Sequence, residues 1–216
     1  MDGTLIDSEH LWLEAETDVM RDLGAPWSTQ DQVTCLGGPL ERVAQYMVER
    51  SGTGIPVSVV GQSLLDRVCE LMREAPLLWR PGATTLLRET IDKGIPTALV
   101  TASWAVLVDQ LAKRIKAEIG SDPFHVTVAG DSVSQTKPHP EPYETAARLL
   151  HVSTEACLAL EDSTTGVASA LAAGCQVVAI PHLADIGSHV ASSTSLVVVQ
   201  TLEGETLEQL WGRFGV

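Results

Sequence analysis

Lysine is scarce in this 216-residue chain: Lys93, Lys113, Lys116 and Lys137 stand against 28 aspartates and glutamates, with a formal net charge of −14. So acidic a balance argues against a nucleic-acid-binding surface and against a face that rests on anionic membrane. It does not argue against an anionic small molecule, because a nest of backbone amides, one lysine and a metal ion can bind phosphate within an acidic protein. Long apolar runs are missing too. Nothing approaches the ~18 uninterrupted apolar residues of a membrane-spanning helix, and no basic segment leads into an apolar one as in a secretory leader. These absences point to a cytoplasmic protein. Cys35, Cys69, Cys157 and Cys175 are far apart and form no C-x-x-C pair. They read as small buried hydrophobes, and a disulfide framework or zinc site is excluded. Internal repeats and low-complexity tracts are absent as well.

What is present describes an ordinary globular protein, with 44% hydrophobic and 19% charged residues. The length suffices for one large domain, or for one domain with an insertion. Leu11, Ala15, Val19 and Leu23 recur every four residues and predict a helix from 10 to 23, with Gly24 as its stop. A loop through Pro26 and Trp27 leads to Val33–Gly38. Pro39 suits the first turn of a second helix with Leu40, Val43, Ala44 and Met47 on one face. A third helix over 57–74 carries Val60, Leu64, Leu65, Val68, Leu71 and Met72 as its buried stripe. Beyond Arg80-Pro81-Gly82 the texture changes. Helices predicted over 83–93, 105–118, 143–150, 165–173 and 202–211 alternate with short apolar runs at 97–101, 126–129, 157–160, 176–180 and 195–199. That alternation predicts an α/β, doubly wound, mostly parallel sheet with helices on both faces. Residues 1–9 and 79–216 would form this core, and 10–78 an inserted all-helical domain. Such cores bind ligands at the carboxyl ends of their strands.

Four short motifs fall at positions of that kind. Asp2-Gly3-Thr4 is by itself an ordinary turn signal. As chemistry, Asp2 is a candidate proton donor and acceptor, Gly3 permits a sharp turn, and Thr4 hydrogen-bonds the turn locally. Thr101-Ala102-Ser103 reads equally as a strand-to-helix cap or as a phosphate-binding turn, since helix N-termini bind phosphate. Lys137 opens the rigid loop Lys137-Pro138-His139-Pro140-Glu141-Pro142-Tyr143 just beyond a strand. A lone lysine is usually solvated, but this one is the candidate phosphate-binding cation, and His139 is read as loop structure. Glu161-Asp162-Ser163 follow an apolar run directly. Adjacent acids there are costly without a partner; a divalent cation is one answer, and N-capping by Asp162 or Ser163 is the other.

In order and spacing the four motifs resemble those of the haloacid dehalogenase-like hydrolases with a helical cap. The opening Met1-Asp2-Gly3-Thr4-Leu5-Ile6-Asp7-Ser8 matches all but the first residue of that family's D-x-D-G-T-L-x-D-S. The resemblance implies a carboxylate nucleophile just before Met1, at the end of a first strand that the 216 residues do not supply, with Asp2 as general acid/base. It makes Gly3, Thr101, Ala102, Ser103 and Lys137 the phosphate-binding set, with Thr101 and Lys137 catalytic. It assigns Mg²⁺ to Asp162, to the backbone carbonyl of Asp2, and to Glu161 in the first or second shell. Arg42, with the loop Leu36-Gly37-Gly38, is the candidate contact to the leaving group. The segment around Trp12 looks most like hexitol phosphate and 2-deoxyglucose 6-phosphate phosphatases. The expectation is Mg²⁺-dependent hydrolysis of a small phosphorylated metabolite through an aspartyl-phosphate, by a monomer or weak homodimer. Dehalogenase chemistry is disfavoured by Asp2, and phosphonatase chemistry by a cap without lysine. A phosphosugar mutase would carry a His in place of Trp12 and a cap lysine. A non-catalytic protein of the same fold, binding a phosphorylated metabolite, is the alternative.

Overall fold

The computed structural model describes residues 1–35, 38–182 and 193–215. The chain divides into two compact units, one made of Met1–Asp7 with Leu77–Val216 and the other of Ser8–Pro76.

Ser8–Pro76 holds α1 (Glu9–Asp22), α2 (Thr29–Cys35), α3 (Leu40–Ser51) and α4 (Val57–Glu74). α4 packs against α1 and α3 and buries the whole predicted stripe from Val60 to Met72. α1 contributes Leu11, Ala15, Val19 and Met20, and α3 contributes Val43, Ala44 and Met47. The segment expected as a loop between Pro26 and Gly38 instead contains α2. Ser28 and Asp31 start it by reciprocal bonding. The Ser28 backbone N and Oγ donate to Asp31 Oδ2 at 2.8 and 2.6 Å, and Asp31 N donates back to Ser28 Oγ at 3.2 Å. First-turn amides with no intrahelical partner are satisfied in this way. Tyr46 Oη and Arg50 Nε donate to the other oxygen of Asp31 at 2.7 and 3.1 Å.

The second unit is built from α5 (Ala83–Lys93), β1 (Ala98–Val100), α6 (Ala105–Ile119), β2 (Val126–Val128), α7 (Glu141–Leu150), β3 (Leu158–Glu161), α8 (Thr164–Ala172), β4 (Gln176–Ala179), β5 (Leu196–Val198) and α9 (Leu207–Gly212). Every strand pairing is parallel, with Leu99 opposite Thr127, Ala159 opposite Val177 and Val178 opposite Val197. Side chains alternate between faces along a strand, and here each face meets helices. Val177 and Ala179 pack with Tyr143 of α7 and Val167 and Ala170 of α8. Val178 and Ile180 pack with Leu86 of α5 and Leu210 of α9. Leu99 is buried with Val108, Leu111 and Ile115 of α6. This is the doubly wound parallel architecture that the alternation of elements predicts. Among the described residues the strands form two groups, β1 with β2 and β3-β4-β5 in that order.

α9 starts five residues later than expected. Gly204 turns the chain with φ of 78°, and Thr206 forms a capping box with Gln209 that fixes the helix start at Leu207. The chain leaves this unit after Asp7 and returns at Leu77 along adjacent paths. Asp7 N donates to Leu78 O at 2.7 Å and Arg80 N to Leu5 O at 2.8 Å, around an antiparallel bridge between Ile6 and Trp79. The four cysteines are free thiols, and Cys35, Cys69 and Cys175 are buried. No helix among the described residues is long and apolar enough to cross a membrane.

Candidate active site

Met1–Ile6 folds into a tight turn in which Leu5 N donates to Met1 O at 2.9 Å and Gly3 N to Ile6 O at 2.8 Å. Gly3 adopts φ of +70°, a conformation cheap only for glycine. A Cβ there would also lie 2.1 Å from Asp162 Oδ2, so the glycine lets the turn touch the end of β3. Asp2 Oδ2 accepts a hydrogen bond from Ser103 Oγ at 2.7 Å. The sequence led us to expect that Thr4 would bond its own turn, but it bonds elsewhere. It is buried, and its Oγ1 donates to Asp162 Oδ1 at 2.6 Å, 158 positions along the chain.

Thr101 follows β1 and is buried. Its hydroxyl accepts from Ser103 N at 3.1 Å, curling Thr101-Ala102-Ser103 into a compact turn with Ala102 exposed. Two residues that the sequence reading passed over support this turn. Gly130 lies so close beneath it that a Cβ would come within 2.2 Å of Ala102 O, and its amide donates to Ser103 O at 2.9 Å. Asp131 Oδ1 accepts from Ala105 N at 2.8 Å. That bond serves the first turn of α6, whose N-cap residue Trp104 makes no side-chain cap bond. The available signal was Ala129-Gly130-Asp131 directly after an apolar run.

Lys137 lies in the loop between β2 and α7, and Glu161 is the last residue of β3. Lys137 Nζ donates to Glu161 Oε1 at 2.5 Å and to Val100 O at 3.1 Å. The two side chains are only 7% and 6% exposed, so this ion pair is desolvated. The Tyr143 hydroxyl donates to the same Glu161 oxygen, and Lys137 Nζ stands 5.2 Å from the centre of the Tyr143 ring. Burial, reinforced by the Glu161 charge, pushes the Tyr143 hydroxyl well above the usual phenol range, so it stays a donor. Gly166 makes room for this cluster, since a Cβ there would lie 1.9 Å from Glu161 Oε2. Ser163, not Asp162, caps α8 by accepting from Gly166 N at 3.1 Å. Burial pushes the Asp162 carboxyl above the ordinary carboxylate range, opposed by the Met1 amino group and the Thr4 hydroxyl. The lysine loop is braced by Ser169 Oγ, which donates to His139 O at 2.6 Å, and by Glu141 N, which donates to His139 Nδ1 at 3.2 Å.

Asp2, Gly3, Ser103 and Asp162 are thus linked by direct contacts, and Lys137 and Glu161 by another set that reaches Val100 at the end of β1. Arg42 belongs to the helical unit, where it is exposed on the first turn of α3. A Cβ on Gly38 would lie 2.2 Å from its Nη2. Leu36 and Gly37 lie outside the described residues. Among those residues no group of three or more His, Cys, Asp and Glu side chains forms a cation cage. Glu161 Oε1 is committed to Lys137 and Tyr143. Asp162 differs, because its side-chain hydrogen bond comes from a neutral hydroxyl while burial disfavours its charge. A half-buried carboxylate beside a backbone turn is a donor set that suits Mg²⁺, which keeps waters and takes further oxygens from substrate.

A family model described as haloacid dehalogenase-like hydrolase matches residues 1–180. The chain belongs to that family. This hydrolase is 31% identical over 188 residues to Protein CbbY of Cereibacter sphaeroides, covering 84% of this chain and 81% of the relative. It is 30% identical over 184 residues to hexitol phosphatase B of Escherichia coli, with the same two shares of 84% and 81%. The crystal structure of CbbY from Rhodobacter sphaeroides in complex with phosphate matches with a TM-score of 0.81 at 28% identity, covering 97% of this chain and 96% of that one. The resemblance carried by the four motifs therefore holds at the level of the family.

Proposed function

We propose that this hydrolase cleaves small phosphate monoesters, sugar or sugar-alcohol phosphates, through an aspartyl-phosphate and with Mg²⁺. One observation carries the reading: the turn that presents Asp2 to Ser103 also touches Asp162, so two half-buried carboxyl groups lie close together at one end of the sheet. In this mechanism a carboxylate on the residue before Met1 attacks phosphorus, splitting the displacement into two easier steps. Asp2, oriented by Ser103, protonates the leaving oxygen and then takes a proton from the attacking water. The Thr101 hydroxyl and the Ala102 amide hold phosphoryl oxygens, while the Gly3 and Ser103 amides, bonded within their own turns, shape the pocket around them. Lys137 adds positive charge to the same group, with Glu161 and Tyr143 fixing its position. Mg²⁺, held by Asp162 and the Asp2 carbonyl, would supply further neutralisation of phosphoryl charge.

Ser8–Pro76 serves in this reading as a cap that recognises the leaving group, with Arg42 as its contact. That unit contains no lysine, which disfavours a mutase. The relative named hexitol phosphatase B supports a sugar-alcohol phosphate as the first substrate to try. The test is hydrolysis of p-nitrophenyl phosphate and hexitol phosphates with Mg²⁺ or EDTA, using chain that carries the upstream aspartate. Turnover should require Mg²⁺, and Asp2→Asn should lower kcat by roughly 10²–10⁴-fold. Tight binding of a sugar phosphate with no turnover would leave a non-catalytic binding protein.

A further inference from the structure

Cys157 and Cys175 are distant along the chain, but the strand register sets them side by side. Leu158 of β3 is the parallel partner of Gln176 of β4, and the Gln176 amide donates to Cys157 O at 3.0 Å. The two cysteines stand one step before that pair, each on its own strand. Side chains alternate between faces along a strand, so Cys157 shares a face with Ala159, and Cys175 with Val177. The packing agrees. Ala159, Cys175 and Val177 are buried in one apolar cluster, and Cys157 packs against it. Neighbouring strands run ~4.8 Å apart, inside the ~4.4–6.8 Å between Cα atoms that a disulfide spans. The spacing of the cysteines along the chain gave no sign of this pair.

We infer that Cys157 and Cys175 form a dithiol that a peroxide converts to a disulfide, a modification site that staples β3 to β4. The two thiols differ in access. Cys157 is half-buried and Cys175 is only 1% exposed, so Cys157 is the one that the oxidant meets. Its Sγ donates to Ser153 O at 3.3 Å, a weak sulfur bond that costs little to give up. The Cys157 thiolate attacks one peroxide oxygen. The O–O bond breaks, the sulfur becomes a sulfenic acid, and the departing hydroxide takes the thiol's proton and leaves as water. The Cys175 sulfur then attacks the Cys157 sulfur. The S–S bond forms, the S–O bond breaks, and hydroxide leaves with the Cys175 proton as a second water. Two thiols thus give up two electrons, and one peroxide becomes two waters. Burial pushes the Cys157 thiol up, and burial with the Cys157 and Glu155 charges pushes the Cys175 thiol up to about 12. The reaction is therefore slow at neutral pH and quickens as pH rises. It uses none of the phosphate-binding residues and is independent of the phosphatase reading.

The test is exposure of the full chain to excess hydrogen peroxide at pH 8, followed by alkylation, intact mass and peptide mapping without reductant. The expected product is a single chain that has lost two hydrogens, with the Cys157 and Cys175 peptides linked. Free thiols should fall from four to two, and dithiothreitol should restore them. The link should form about tenfold faster at pH 9 than at pH 8, following the Cys157 thiolate. Cys157→Ser and Cys175→Ala should each abolish it, whereas Cys35→Ser with Cys69→Ser, both in the helical unit, should leave its rate unchanged. Cys157 is half-buried, so Cys157→Ser keeps the test sharp even where Cys175→Ala fails to fold. Four free thiols after prolonged exposure would overturn the inference. So would Cys157 carried on to a sulfinic acid beside a free Cys175, or a disulfide that joins two chains.

Discussion

Glu161 in the α/β unit and Glu16 in the helical unit are almost equally buried, at 4% and 5% exposure, yet their surroundings treat them in opposite ways. Glu161 receives a lysine and a tyrosine hydroxyl on one oxygen. Glu16 accepts from Trp27 Nε1 at 3.2 Å, and burial, opposed by that bond and assisted by the Glu9 charge, pushes its carboxyl up to about 7. Asp31 marks the other extreme in the helical unit. Ser28 first, then Tyr46 and Arg50, hold its carboxyl far below the usual range. Desolvation decides the protonation of a buried acid only where nothing is built to oppose it. Burial alone therefore does not fix the state of an acid; its hydrogen-bond and ion-pair partners decide it.

The contrast can be broken most severely at Glu161. Replacing it with Ala strands Lys137 in a desolvated site and should cost roughly 3–5 kcal/mol in urea unfolding at pH 7. A loss below about 1 kcal/mol, the range of exposed pairs, would show the ion pair to be solvated. Glu16→Gln comes next and has the opposite sign. Between its ordinary value of 4.5 and about 7 the folded chain keeps a proton that the unfolded chain releases. Stability therefore falls as pH rises through that window, by up to ~3 kcal/mol for a shift of this size. Glu16→Gln should remove that slope and be more stable than wild type at pH 8 while matching it near pH 4; parallel stability curves for the two proteins would refute it. Smallest is Ser28→Ala, which removes the cap of α2 and should cost about 1 kcal/mol, without changing kcat for p-nitrophenyl phosphate.

Periodicity was enough to read α4 and α5 end to end and to place the strands within a residue or two, because their apolar positions repeat without interruption. The same pattern put Thr101 at the end of the first of these strands, and Glu161 and Asp162 directly after the third, within a residue of where the structure has them. What stayed hidden were the closures between distant segments. Nothing local in Thr4 says that its hydroxyl reaches Asp162, since the distance is set by how the sheet and turn pack. Tyr143 read as part of a loop motif, and only the fold brings its hydroxyl to Glu161 and its ring beside Lys137. α2 was missed because Asp31 stands where a capping box more often has Glu or Gln, and because Pro26 and Trp27 suggested continued loop.

The paired crossings at Leu5–Asp7 and Leu78–Arg80 carry a consequence of a different kind. Two antiparallel stretches bonded side by side can be closed by a two-residue hairpin. The whole of Ser8–Pro76 hangs from such a doorway, so it can be excised or exchanged for another module without moving Asp2, Ser103, Lys137 or Asp162. In the function proposed above, the chemistry and the choice of what it is applied to are thereby free to change at separate rates.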